Sequence, residues 1–184
     1  MSKNRIHYIG ALSPEMALLG QLYASSGYGY DLHRKVIADL GEVWHISQSQ
    51  AYAILRRLES VGEISVKEEP QEKLPSKQVL RMTPKGRDRF LTWLETPSGG
   101  STRAIRMEFV TRLYFLTQYF PEKIPETFEI QRVEAKIHIQ RLEKIRTELP
   151  GDQIYNLMSL DLRLKQLKMV LDWLDEYQKV ILSQ

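Results

Sequence analysis

One stretch, residues 47–82, limits the fold of this chain more than any other. It opens with SQSQAYAILRRLESVG, in which Ser47 and Gln50 have the spacing of a capping box. Ala51, Ile54, Leu55, Leu58 and Val61 recur at helical spacing to form an inner face, and Gly62 marks the stop. Two short alternating segments follow, residues 64–68 and 78–82. Their pattern places Ile64, Val66, Leu80 and Met82 on one face, and Ser65, Lys67, Val79 and Arg81 on the other. Between them, residues 69–77 (EPQEKLPSK) carry Pro70 and Pro75, which cannot sit in a central ladder, so the reading is a loop with Lys73 and Lys77 at its end.

The flanks supply the rest of a small domain. Ser13, Pro14 and Glu15 read as cap, first turn and acidic residue at a helix start, with Leu18, Leu19, Leu22 and Tyr23 as the buried stripe. Ser25, Ser26 and Gly27 break that helix. Tyr30, Leu32, Val36, Ile37 and Leu40 then predict a second one, ended by Gly41 as a C-cap glycine. Thr83-Pro84 repeats the cap-then-proline start, and Phe90, Leu91, Trp93 and Leu94 give a fourth helix its apolar side. Two supporting helices, an exposed-capped third helix and a hairpin with cations at its tip make a winged helix-turn-helix.

Residues 96–101 (TPSGGS) are small and lack apolar anchors, which predicts a flexible boundary between a winged domain at 1–96 and a second domain at 102–184. The second domain reads as all helix. Ile105, Phe109, Leu113 and Leu116 are in register over 102–120. Over 125–149, Ile130, Val133, Ile137, Leu142 and Ile145 are expected to face inward. Over 152–182, Leu157, Leu160, Leu164, Leu167, Leu171 and Leu174 form a heptad seam of six leucines. At 1.5 Å per residue that helix reaches about 45 Å, longer than its own domain needs. The expectation is therefore dimerisation through this seam, with Phe109 and Leu113 on the 102–120 helix of a second copy as its partners; the alternative is that the seam closes only its own three-helix core. The fold class is mainly α with a small β-hairpin.

Composition narrows the function. With 42% hydrophobic and 27% charged residues the 184-residue chain can bury small cores, and no run approaches the length of a membrane span. Residues 1–12 lack a secretory layout, and the absence of cysteine removes disulfides and thiol chemistry, so a cytoplasmic setting is expected. Residues 1–96 hold 13 Lys and Arg against 11 Asp and Glu, so any polyanion must be held by a local patch. Enzymatic readings find little support: His7, His33, His45 and His138 are scattered, Glu134 with His138 is a surface-type pair, and no phosphate loop or nucleophile elbow occurs. No cofactor or metal is expected.

The chemistry on offer is recognition. Ser47, Gln48, Ser49 and Gln50 present donors and acceptors at the leading turn of the third helix, and a Gln amide can bridge adenine N6 and N7. Tyr52, Arg56 and Arg57 are expected nearer the phosphates, with Lys73, Lys77 and Arg81 from the wing.

These residues also carry a resemblance. The run Gly27-Tyr28-Gly29-Tyr30-Asp31-Leu32 is similar to a second-helix segment of the PadR family of transcriptional regulators. The series Trp44, Ser47, Ala51-Tyr52, Leu55, Arg57-Leu58-Glu59 and Gly62 resembles its recognition helix, and residues 77–86 (KQVLRMTPKG) its second wing strand. The Glu69-Pro70-Gln71 tip, the linker and the long helical tail, with Arg106, Glu108, Phe109 and Asp172-Trp173-Leu174-Asp175, look like the branch containing a quorum-sensing-linked virulence activator. The chain departs from the family at Glu63, where Leu is usual, and at Val79 and Leu80, which stand where paired tyrosines occur.

The resemblance implies a homodimer on double-stranded, palindromic operator DNA, Ser47 to Gln50 and Tyr52 meeting DNA and Lys77 serving the wing. A small-molecule effector of unknown identity is compatible with it. The alternative from another class is a helical protein-interaction module whose winged domain does not bind DNA.

Overall fold

The computed structural model describes residues 12–69 and 77–183, which fall into two compact units, 1–96 and 97–184. In the first, α1 (Glu15–Gln21), β1 (Gly27–Tyr28), α2 (Gly29–Leu40) and α3 (Gln48–Ser60) precede β2 (Ile64–Glu69), β3 (Lys77–Met82) and α4 (Pro84–Glu95). The sheet is antiparallel in the order β1-β3-β2. Leu18 and Leu19 of α1, Val36 of α2, Leu58 of α3 and Phe90 of α4 are fully buried and form the centre of the core. Burial of each such side chain contributes about 1.5–3 kcal/mol, which is what holds helices this short in place.

The corner between α3 and the hairpin is fixed tightly. Gly62 ends α3 at φ +74°, the only positive φ among the described residues, so a side chain there would be strained. Thr83 caps α4 by accepting from the Gly86 amide at 3.1 Å, and its hydroxyl donates to the Gly62 carbonyl at 2.7 Å. Gly86 passes so close to the Glu63 carbonyl that a Cβ would lie 2.1 Å from its oxygen. Below this corner lies an ionic cluster: buried Glu15 pairs with Arg57 and, at 2.6 Å, with Arg89, which also reaches Glu63.

Several local expectations change. Pro14, not Ser13, occupies the cap position of α1 and no side chain caps it. Gly41 stays right-handed at φ −60°, and the end of α2 is closed by the Val43 and Trp44 amides donating to the Leu40 carbonyl. Tyr30, Ile37 and Val61 are exposed. Glu69 and Lys77 pair as strand residues instead of opening the loop, whose remaining residues, 70–76 with Lys73, lie outside the described residues. The hairpin register is the expected one, Ile64 opposite Met82 and Val66 opposite Leu80. Val79, however, is buried as well as Leu80, because β1 adds an edge strand with Tyr28 opposite Val79. Two residues are too few to show an alternation, so β1 left no pattern in the sequence.

The second unit contains α5 (Thr102–Ala104), one turn of π-helix at Ile105–Phe109, α6 (Val110–Tyr119), a 3₁₀ turn at Pro121–Lys123, α7 (Ile124–Glu148) and α8 (Ile154–Leu182). Helices α7 and α8 run antiparallel, as ion pairs Arg132–Asp175 at 2.7 Å and Arg146–Asp161 at 2.5 Å require. Phe109 packs edge-on against Phe128 and Trp173, with ring centroids 5.2 and 6.2 Å away.

Residues 96–101 do not behave as a free linker. Gln131, itself buried, accepts from the Ser98 amide at 3.0 Å and donates to its carbonyl at 3.2 Å, while the buried Arg112 donates to the Ser98 hydroxyl at 2.8 Å. The anchor is polar, which a search for apolar residues misses. Glu108, next to this arginine, is pushed above the ordinary carboxylate range by burial, with Arg112 acting in the opposite direction.

The largest correction concerns which faces are buried. On α7 the inward residues are Ile124, Phe128, Gln131, Ala135, Ile139 and Leu142; of the expected set only Leu142 is buried, while Ile130, Val133, Ile137 and Ile145 are exposed. On α8 the seam residues Leu160, Leu164, Leu167 and Leu174 are buried, and Leu157 and Leu171 half-buried, within the chain's own helical unit. Phe109 and Leu113 are buried there too. The seam therefore has its partner without a second copy. A second α8 stripe, Tyr155, Met158, Leu162, Met169 and Val180, is exposed instead.

Candidate nucleic-acid interface

The leading turn of α3 has the expected capping box. The Ser47 amide donates to Gln50 Oε1 at 2.8 Å, and the Gln50 amide donates to Ser47 Oγ at 3.2 Å. That assigns different work to neighbouring residues. Gln50 spends its amide oxygen on the cap and cannot offer the donor–acceptor pair that adenine requires. Gln48 and Ser49 are exposed and their side chains make no hydrogen bond among the described residues, so the base-reading groups available here are theirs. The connection entering this turn is steadied from α2, where His33 Nε2 lies 2.9 Å from the Ile46 carbonyl.

One turn on, Tyr52 is half-buried with its ring over the first residue of α2. A Cβ on Gly29 would meet that ring at 2.9 Å, so glycine is what lets the two helices approach here. Tyr52 forms part of the wall of an open cleft of about 590 Å³ between the start of α2, the outer side of α3 and the hairpin. Arg56 of α3 and Lys77 of β3 line it together with Tyr28, Tyr30 and Gln78. Asp31 and Glu59 also line it, which restricts an anion to the part bounded by the two cations.

The structure separates two adjacent arginines that look alike in the sequence. Arg56 is exposed and makes no ion pair among the described residues, so its guanidinium is available. Arg57 instead turns toward buried Glu15 and belongs to the ionic cluster under α1 and α4. Arg81 is exposed opposite Ser65 and does not line the cleft. Of the expected contact set, Tyr52, Arg56 and Lys77 converge on the cleft, and Ser47 to Gln50 sit at the head of the same helix.

Tyr28 and Tyr30 were not legible as site residues. In the sequence Tyr30 reads as part of a helix stripe and Tyr28 as the residue after a helix break, and only the pairing of β1 with β3 brings Tyr28 beside the wing, its ring centroid 5.3 Å from Lys77 Nζ. Among the described residues no group of His, Asp and Glu is arranged to hold a metal, and no helix is long and apolar enough to cross a membrane.

The model of the transcriptional regulator PadR-like family matches residues 18–91, and that of the virulence activator α C-terminal domain matches residues 105–181. Over residues 18–91, the winged unit, the chain is of the type of the PadR-like family of transcriptional regulators. Members of this family are regulators, not enzymes. Over 123 residues the chain is 25% identical to the negative transcriptional regulator PadR of Bacillus subtilis strain 168, covering 66% of this chain and 67% of that one. Among solved structures, Bacillus subtilis PadR in complex with operator DNA overlaps 90% of this chain and 96% of its own at 21% identity and a TM-score of 0.44. A PadR-like regulator from Bacillus cereus overlaps 95% of this chain and 98% of its own at 21% identity and a TM-score of 0.41. Overlaps this loose transfer no residue roles, which rest on the geometry above.

Proposed function

We propose that this chain is a cytoplasmic homodimer that binds a palindromic DNA operator sequence-specifically, with residues 1–96 contacting DNA and the helical domain, 102–184, joining the copies. The observation that carries the reading is the pairing of an uncommitted leading turn, Gln48 and Ser49, with a cleft whose two available cations, Arg56 and Lys77, come from the helix and the wing. A helix in the major groove and a wing over the adjacent minor groove have one sugar-phosphate strand between them. The cleft is where that strand passes, and its cations meet the phosphates. The PadR relative is named as a negative regulator and its structure was obtained with operator DNA, which agrees with this assignment.

For the dimer, the support comes from the exposed apolar stripe of α8 and not from the leucine seam, which is already covered. A two-fold pair of copies presents two recognition helices, and hence requires a palindromic site. Selection of bound duplexes from random DNA, with sedimentation of the free protein, tests both parts. A palindromic consensus and a dimer mass are expected; no enriched sequence, or a monomer that still binds a palindrome tightly, would contradict them. The near balance of charge in residues 1–96, with Asp31 and Glu59 in the cleft, favours the second reading, a winged domain that docks a protein. Loss of all selection on DNA is its signature.

A further inference from the structure

The cleft contains a pairing that the DNA-binding reading does not by itself require. Lys77 begins β3 beside the tip of the hairpin, where a lysine side chain has many rotamers and loses about 2 kcal/mol of freedom when fixed. A freely rotating ammonium is a weak phosphate ligand for that reason. Here it is not free: Tyr28 stands directly opposite Val79 in the β1–β3 ladder, and Lys77 lies two residues along the same face. That diagonal is within reach of an aromatic ring and a long side chain, and the ammonium sits 5.3 Å from the ring centroid. Tyr28 is itself held on both sides. Its backbone is strand-paired at φ −96° and ψ 145°, and the next residue, Gly29, lies under the Tyr52 ring.

We infer that Tyr28 is a positioning residue for DNA binding: its ring holds the wing lysine Lys77 at the edge of the cleft, ready to meet a phosphate. The inference rests on the DNA-binding reading and adds to it a residue outside both the recognition helix and the wing. It explains a use for β1, which is too short to stabilise the sheet much yet is where the ring is placed. Tyr28 acts through Lys77, so its effect exists only while the lysine is present, and it depends on the ring and not on the phenol hydroxyl.

The test is a double-mutant cycle in the full chain, read as affinity for a duplex selected by the wild-type protein. Tyr28→Phe keeps the ring and should leave affinity within error of wild type. Tyr28→Leu should weaken binding about two- to fivefold, the range of a surface cation–π contact. In a Lys77→Ala background the same Tyr28→Leu change should have no further effect. An equal loss in both backgrounds, or no loss in either, would overturn the inference while leaving DNA binding intact.

A second readout needs no DNA. In the free protein the Lys77 ε-methylene protons should be shifted upfield by the ring, and Tyr28→Leu should abolish that shift with the helical circular dichroism unchanged. A Lys77 resonance at its random-coil position would overturn the positioning role. Absence of any DNA binding by the wild type would instead overturn the functional reading beneath it.

Discussion

Helix α3 and helix α8 are both amphipathic, yet they differ in how many faces they have to satisfy. On α3 one apolar face, Ala51, Leu55 and Leu58, is buried and most of the remainder is polar. The hydrophobic period therefore names the inner side and, by exclusion, the face left for a ligand. On α8 two apolar faces run side by side: Leu160, Leu164, Leu167 and Leu174 are buried, whereas Tyr155, Met158, Leu162 and Met169 are open. Periodicity locates both stripes but does not say which closes the fold and which meets another molecule. The seam with the cleaner heptad turns out to be the internal one.

The sharpest way to break this contrast is to put charge on each stripe. Leu164→Asp with Leu174→Asp places two unpartnered carboxylates in the packed hairpin and should cost on the order of 5 kcal/mol, unfolding the helical unit by circular dichroism. Met158→Asp with Leu162→Asp, at positions more than half exposed, should keep the helicity and halve the sedimenting mass. The reverse pattern would return the dimer interface to the leucine seam.

The two arginines of α3 repeat the contrast at the scale of single residues. Arg57→Ala leaves buried Glu15 with Arg89 alone and should lower thermal stability by about 1 kcal/mol, with little change in DNA affinity at temperatures where the protein is folded. Arg56→Ala should do the opposite. At the leading turn, Gln48→Ala should weaken specific binding by roughly 1–3 kcal/mol and leave non-specific binding unchanged. Gln50→Ala should cost about 0.5–1 kcal/mol of stability by removing half of the capping box. Equal losses on specific and random DNA for Gln48→Ala would show that it reads no base.

A smaller effect is expected from Glu108 on pH. Burial raises its folded-state pKa, so the folded form binds the proton more readily than the unfolded chain. The stability of the helical unit should accordingly fall as pH rises from the ordinary carboxylate value through the raised one. Glu108→Gln should flatten that part of the denaturation-midpoint profile; an unchanged slope would assign it to another group.

Much of the winged unit was legible because each element has one apolar face and a local stop signal. The Ser47–Gln50 box, the Gly62 stop and the Thr83-Pro84 start are chemical requirements of short range, and all three stand where the sequence places them. What was hidden depends on partners distant in sequence. Tyr28 becomes a site residue only through its pairing with β3. Arg57 is removed from the site by Glu15, 42 positions earlier. Ser98 is fixed by the Gln131 and Arg112 side chains, which gives a small polar segment an anchor that no hydrophobic count detects. On α7, Gln131 takes an inward position and leaves Ile130 outside, reversing the ranking that hydropathy alone assigns.

The central claim is that DNA is held by the α3 leading turn and by the cations around its cleft, with Arg57 excluded. The salt dependence of affinity tests this most directly. If Arg56 and Lys77 of two copies neutralise about four phosphates, the slope of log affinity against log salt should be near −4. Arg56→Ala should reduce its magnitude by about two, and Arg57→Ala should leave it unchanged. A flat wild-type dependence, or a slope that responds to Arg57→Ala and not to Arg56→Ala, would contradict the account.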